Sequence, residues 1–114
     1  MVTEEFSSDI STVWRTTMGV TAVEDPDVYA EVSPIRLAKD ITVPMLIIHS
    51  ENDLRCPINQ AEELFVALRT LGRDVTFYRF PGETHELSRS GSPVHRTMRA
   101  EIILEYFTAR LAPR

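Results

Sequence analysis

An aspartate and a histidine stand in two loops, and each loop follows a strand-like apolar run. Asp53 lies in Glu51-Asn52-Asp53-Leu54-Arg55-Cys56-Pro57, and His85 closes Phe80-Pro81-Gly82-Glu83-Thr84-His85. Together the two residue types can act as a general base and the carboxylate that orients it. The imidazole takes a proton from a nucleophile, while the carboxylate fixes its tautomer and stabilises its charged form. The usual third member is a serine on a tight strand-to-helix turn, Gly-x-Ser-x-Gly. No such motif occurs in the 114 residues. The sequence therefore holds two of the three groups of a hydrolytic triad.

The remaining reactive side chains read differently. His49 sits inside an apolar run and is expected to be a satisfied core histidine; His95 opens the last helix and is expected at the surface. Three histidines without paired spacing predict no metal site. Cys56, beside a proline at a helix start, can be read as a thiolate favoured by the helix dipole or as a small, partly buried filler, and the filler reading is favoured. Arg55, Arg89 and Arg96 are candidates to meet a substrate carboxylate, set against the plainer reading of solvated arginines. Ser50 and Ser88 are near the two loops but lack elbow glycines on both sides, so neither is expected to act as a nucleophile.

The elements that must position Asp53 and His85 follow from periodicity. Over residues 5–18, Phe6, Ile10, Val13 and Trp14 share the spacing of one helix face, and Gly19 is a stop signal. Asp25-Pro26 and Ser33-Pro34 each pair an N-cap residue with proline at the first helical position, predicting short helices near 26–31 and 34–39. Val43 to Ser50 is a continuous apolar run of the kind found in strands of parallel sheets, with Pro44 tolerated at its start. Ala61, Leu64, Phe65, Leu68 and Leu71 predict a helix ended by Gly72, with Asn59 and Glu62 as a capping box. Val75 to Phe80 predicts a second strand. A final helix is expected over about 94–111, with Met98, Ile102, Ile103, Tyr106, Phe107 and Leu111 facing inward. The order is a helical arm (1–42) and a β-α-β-α unit (43–114), a single partial α/β domain. A right-handed crossover makes the strands parallel and brings both loops to one sheet edge.

Composition narrows the partners. An apolar fraction of 43% and a charged fraction of 25% are ordinary for a globular protein. A net charge of −5 without a basic run argues against nucleic acid and anionic membrane. The run Val43 to Ile48 is too short to span a bilayer, and the acidic start does not resemble a signal peptide. The single cysteine excludes an internal disulfide and suits a cytoplasmic location. No cofactor is expected.

With the elements placed, a resemblance emerges. Asp53 to Pro57, Gln60-Ala61-Glu62 with Leu64-Phe65, Phe80-Pro81-Gly82 with His85, and Ser88 to Gly91 with Pro93 resemble the C-terminal end of the α/β-hydrolase domain in the prolyl oligopeptidase family. The acylaminoacyl-peptidase-like branch is the most similar. The likeness is strong from Ser33 to Leu111 and thinner before it, where Trp14, Gly19, Glu24-Asp25-Pro26 and Tyr29 still fit. It covers about the last half of a family catalytic domain. It implies an eight-stranded, mostly parallel sheet, usually preceded by a β-propeller. It also implies that Asp53 and His85 are the triad Asp and His, in the loops after the seventh and eighth strands. Two positions depart from the family pattern: Ser50 replaces a usual glycine, and Glu86 replaces a small residue after the histidine.

Two strands alone make a weak sheet, and the run 45–48 would present an unpaired apolar edge. The expectation is a homo-oligomer joined through that edge. Two functional classes follow: the C-terminal portion of a serine peptidase acting on peptides or acyl-peptides, inactive without its nucleophile, or a non-catalytic remnant or assembly module.

Overall fold

In the computed structural model, which describes residues 2–111, the chain begins with short helices tied to the loop that follows the first strand. Helix α1 (Val2–Ser7) and helix α2 (Ser11–Met18) replace the single helix expected over 5–18. The break has a local cause. The Ser8 hydroxyl donates to the Arg55 carbonyl at 2.6 Å and accepts from Ile10 N–H at 3.2 Å. Asp9 N–H turns away from the helix ladder to the Leu54 carbonyl at 2.7 Å. Side chain–backbone bonds of this kind compete with helix continuation. Phe6 and Val13 are exposed as a result, so the expected apolar stripe is not a buried one.

Helix α3 (Pro26–Glu31) starts as expected, with the Asp25 carboxylate accepting from Asp27 and Val28 N–H. The turn at Pro34–Asp40 is a 3-10 helix, and Ser33 makes no side-chain cap there. Two buried groups hold the arm together. Tyr29 is fully buried with its hydroxyl donating to the Val20 carbonyl at 3.0 Å. Glu5, also buried, accepts from Ala22 N–H at 2.7 Å.

Strand β1 (Met45–Ser50) and strand β2 (Val75–Phe80) pair in parallel, with Met45 opposite Val75 and Ser50 opposite Phe80. Helix α4 (Asn59–Thr70) makes the crossover between them. One face of this unit is a packed core: Ile47, Val75, Ala61, Leu68 and Ala38, flanked by Met45, Phe77, Leu64 and Phe65. The helix ends in a paired closure, with Arg73 N–H to Leu68 O and Gly72 N–H to Arg69 O. Its start differs from expectation. Asn59 is the first helical residue rather than the cap, and its side-chain oxygen has no hydrogen-bond partner, so there is no capping box.

Helix α5 (Leu87–Ser90) and helix α6 (Pro93–Leu111) complete the chain. From His95 against Phe80 to Arg110 against Asp74, α6 runs back along β2. No residue of α6 is buried, and Met98, Phe107 and Leu111 are exposed. The expected inward stripe therefore has little to pack against among the described residues. Among the described residues, no helix is long and apolar enough to cross a membrane.

Candidate active site

Both loops leave the carboxyl ends of parallel strands, three residues before Asp53 and five before His85. They are laced together by backbone: Glu51 N–H donates to the Phe80 carbonyl at 3.0 Å, and Asn52 N–H to the Glu83 carbonyl at 2.9 Å. Gly82, at φ 75°, supplies the left-handed conformation with which the second loop turns off its strand.

The Asp53 carboxylate is buried, with 8% of its side chain accessible. Its Oδ1 accepts from Arg55 N–H at 2.9 Å and Cys56 N–H at 2.8 Å, an Asx-type turn that fixes the carboxylate plane. Its Oδ2 is thereby left for the other loop, where His85 Nδ1 lies 3.0 Å away. An imidazole that donates through Nδ1 keeps Nε2 free to accept a proton. The His85 ring is 42% accessible, so it can meet an incoming group.

His49 behaves as the sequence suggested: Nε2 donates to the Cys56 carbonyl at 2.7 Å, and the same nitrogen is 3.6 Å from Asp53 Oδ2. It thus closes the aspartate pocket from the strand side. Cys56 is no activated thiol. Burial, reinforced by the Glu4 carboxylate, pushes its pKa up to about 11, opposite to what a helix-dipole thiolate requires. Arg55 is engaged by Asp9 through two N–H···O bonds of 2.7 and 3.3 Å. Arg89 is engaged by Glu86. Arg96 lines a shallow hollow with Ser88, Pro93 and Thr97. Ser50 is buried, whereas Ser88 is exposed. Among the described residues no group of three or more His, Cys, Asp or Glu is arranged to hold a metal ion.

His95 departs from its expected surface role. It is half-buried, its Nδ1 meets Glu83 Oε1 at 2.7 Å, and its ring stands edge-on to Phe80 at 5.4 Å between centroids. No spacing rule pairs a loop glutamate with a histidine across a proline-started helix, so sequence reasoning missed this contact. The available signal was Glu83 itself, a carboxylate two residues before His85.

The model for the family described as "Prolyl oligopeptidase family" matches residues 1–114. An uncharacterized peptidase of Bacillus subtilis (strain 168), YuxL, is 42% identical over 88 residues, which are 77% of this chain and 13% of that protein. The human acylamino-acid-releasing enzyme is 36% identical over 67 residues, 56% of this chain and 9% of that enzyme. In three dimensions, an acylaminoacyl peptidase from Pyrococcus horikoshii superposes with a TM-score of 0.85 at 32% identity, over 93% of this chain and 18% of that one. The chain thus spans less than a fifth of these relatives' length. Its helices and parallel strand pair form a partial α/β-hydrolase fold.

Proposed function

The chain belongs to the prolyl oligopeptidase family, and from that premise we propose that it is the C-terminal portion of a serine peptidase in which Asp53 and His85 are the orienting carboxylate and the general base. The observation that carries this reading is the 3.0 Å contact between Asp53 Oδ2 and His85 Nδ1. The nucleophile in this proposal is a serine outside these 114 residues. Its oxygen bonds to the carbonyl carbon of a peptide or acyl-peptide, and its proton passes to His85 Nε2. The imidazolium, stabilised by Asp53, then gives that proton to the leaving amine as the C–N bond breaks. Water repeats the sequence to free the acid. The names of the relatives, an acylamino-acid-releasing enzyme and acylaminoacyl peptidases, support this substrate class.

Residues 1–114 act as one partial domain, since Ser8 and Asp9 of the arm bind the loop that carries Asp53. By itself the chain self-associates through the strand run 45–48, whose outer edge pairs with no strand among the described residues. A cytoplasmic location accords with the single cysteine.

The test is hydrolysis of an N-acylated peptide by the 114 residues joined to a segment bearing the serine elbow. Cleavage that is lost in His85→Ala supports the reading. Cleavage that survives His85→Ala contradicts it and favours the non-catalytic role for this piece.

A further inference from the structure

His85 sits on a loop, nearly half exposed, and must still hold one ring orientation against Asp53. Ordering such a side chain opposes its rotamer entropy, so the surrounding loop has to be braced. The brace is visible two residues earlier. Glu83 is a buried carboxylate, 8% accessible. Its Oε1 accepts from Ser92 N–H at 3.0 Å and meets His95 Nδ1 at 2.7 Å, both at the start of α6. Its backbone carbonyl accepts from Asn52 N–H, next to Asp53. One residue therefore ties the His85 loop to the Asp53 loop and to the helix behind it.

The fit at that point admits only glycine at 91. A Cβ there would lie 2.5 Å from the Leu87 carbonyl oxygen and 2.7 Å from Glu83 Oε2. On the far side of His85, buried Leu87 anchors the loop again, with its N–H on the Thr84 carbonyl at 3.1 Å. The carboxylate also complements the N-terminal end of the 19-residue α6. Ser92 Oγ caps the same helix end by accepting from His95 N–H at 3.2 Å.

We infer that the Glu83 side chain is a positioning group for His85, acting through Ser92 and His95 without touching the reacting atoms, while its main-chain carbonyl adds the tie to Asn52. The inference rests on the Asp53–His85 reading, because it concerns how that pair is held. Its test is nitrogen-15 NMR of the imidazole rings in the full chain, following the His85 Nδ1 proton hydrogen-bonded to Asp53. In Glu83→Ala this proton should exchange with solvent at least tenfold faster while circular dichroism still reports a folded chain. Glu83→Gln, whose amide oxygen can accept the same two bonds, should restore slow exchange. Leu68→Ala, a core change remote from the loop, should lower the melting temperature and leave the His85 signal in place.

Unchanged exchange in a folded Glu83→Ala chain would overturn the inference, as would an equal loss in Leu68→Ala. If Glu83→Ala does not fold, His95→Ala decides: faster exchange supports the brace, and unchanged exchange refutes it. Absence of the signal in the unsubstituted chain overturns the pairing itself and this inference with it, whereas its presence there with no response to Glu83 isolates the failure to the brace.

Discussion

Asp53 Oδ2 and His85 Nδ1 lie 3.0 Å apart although 32 residues separate them. The other carboxylate oxygen is occupied by the Arg55 and Cys56 N–H groups, so the aspartate offers its remaining oxygen to His85 Nδ1, with His49 Nε2 standing farther off at 3.6 Å from the same oxygen. Replacing Asp53 with Asn keeps the shape but puts either a weak acceptor or an N–H donor against Nδ1. In the enzyme completed by its serine segment, Asp53→Asn should lower kcat by about 10⁴-fold with little change in KM. Steady-state kinetics on an acyl-peptide checks this. A fall of only a few-fold would mean the contact does not orient the base.

Cys56 should be inert. With its pKa pushed up to about 11 by burial and the Glu4 carboxylate, the thiolate fraction at pH 8 is roughly one in a thousand. Alkylation by iodoacetamide at that pH should be on the order of a hundredfold slower than for a free cysteine, and should rise steadily toward pH 11. Fast alkylation at neutral pH would contradict the packing described for this loop.

Ser92 N–H and His95 hold the Glu83 carboxyl below the ordinary value of 4.5. A folded-state pKa beneath the unfolded one means that the stability this group contributes is fully present above about pH 4.5 and is lost as pH falls through the lower folded value. Urea denaturation followed from pH 6 to pH 3 (approximate bounds of the window) should therefore show a shallower acid decline in Glu83→Gln than in the unsubstituted chain. Identical acid limbs would show that the carboxylate charge adds nothing there.

Leu68 is fully buried between α4 and the two strands. Truncation to alanine removes contacts that nothing can refill and should cost about 2–5 kcal/mol. Tyr29→Phe, which deletes the bond to the Val20 carbonyl and the hydroxyl's interaction with the Glu5 carboxylate, should cost about 1–2 kcal/mol. Chemical denaturation measures both, and a reversed ranking would contradict the placement of the core.

The edge of β1 gives a prediction about assembly. Met45 N–H donates to Asp74 O and Glu51 N–H to Phe80 O. By alternation the odd-numbered residues face β2, and the N–H groups of Leu46 and Ile48 point outward. Proline at 48 would remove an outward donor and spare the β1–β2 ladder. The chain should sediment as a dimer or larger, and Ile48→Pro should shift it toward monomer. A monomeric unsubstituted chain would contradict association through this edge.

Legibility in the sequence followed the range of the interactions. The second strand, the crossover helix and the Asp25 cap are set by local patterns and lie where those patterns put them, and the first strand begins at Met45, two residues after the expected Val43. The positions of Asp53 and His85 beyond the strand ends were legible for the same reason. Two local expectations also failed, since Ser33 makes no side-chain cap and Asn59 with Glu62 forms no capping box; the other failures depend on partners distant in sequence. The break at Ser8 arises from bonds to Arg55, and the role of His95 from Glu83. The inward stripe expected on α6 is not buried: Met98, Phe107 and Leu111 are exposed, and the described residues supply no surface that covers them.

The most direct measurement is the intact mass of this chain after incubation with a fluorophosphonate, which labels activated serines. No adduct is expected on the chain alone, and one adduct, dependent on His85, is expected once the segment bearing the elbow serine is joined to it. A stoichiometric adduct on the chain alone, at Ser50, Ser88 or any other serine, would contradict the claim that the nucleophile lies outside these residues.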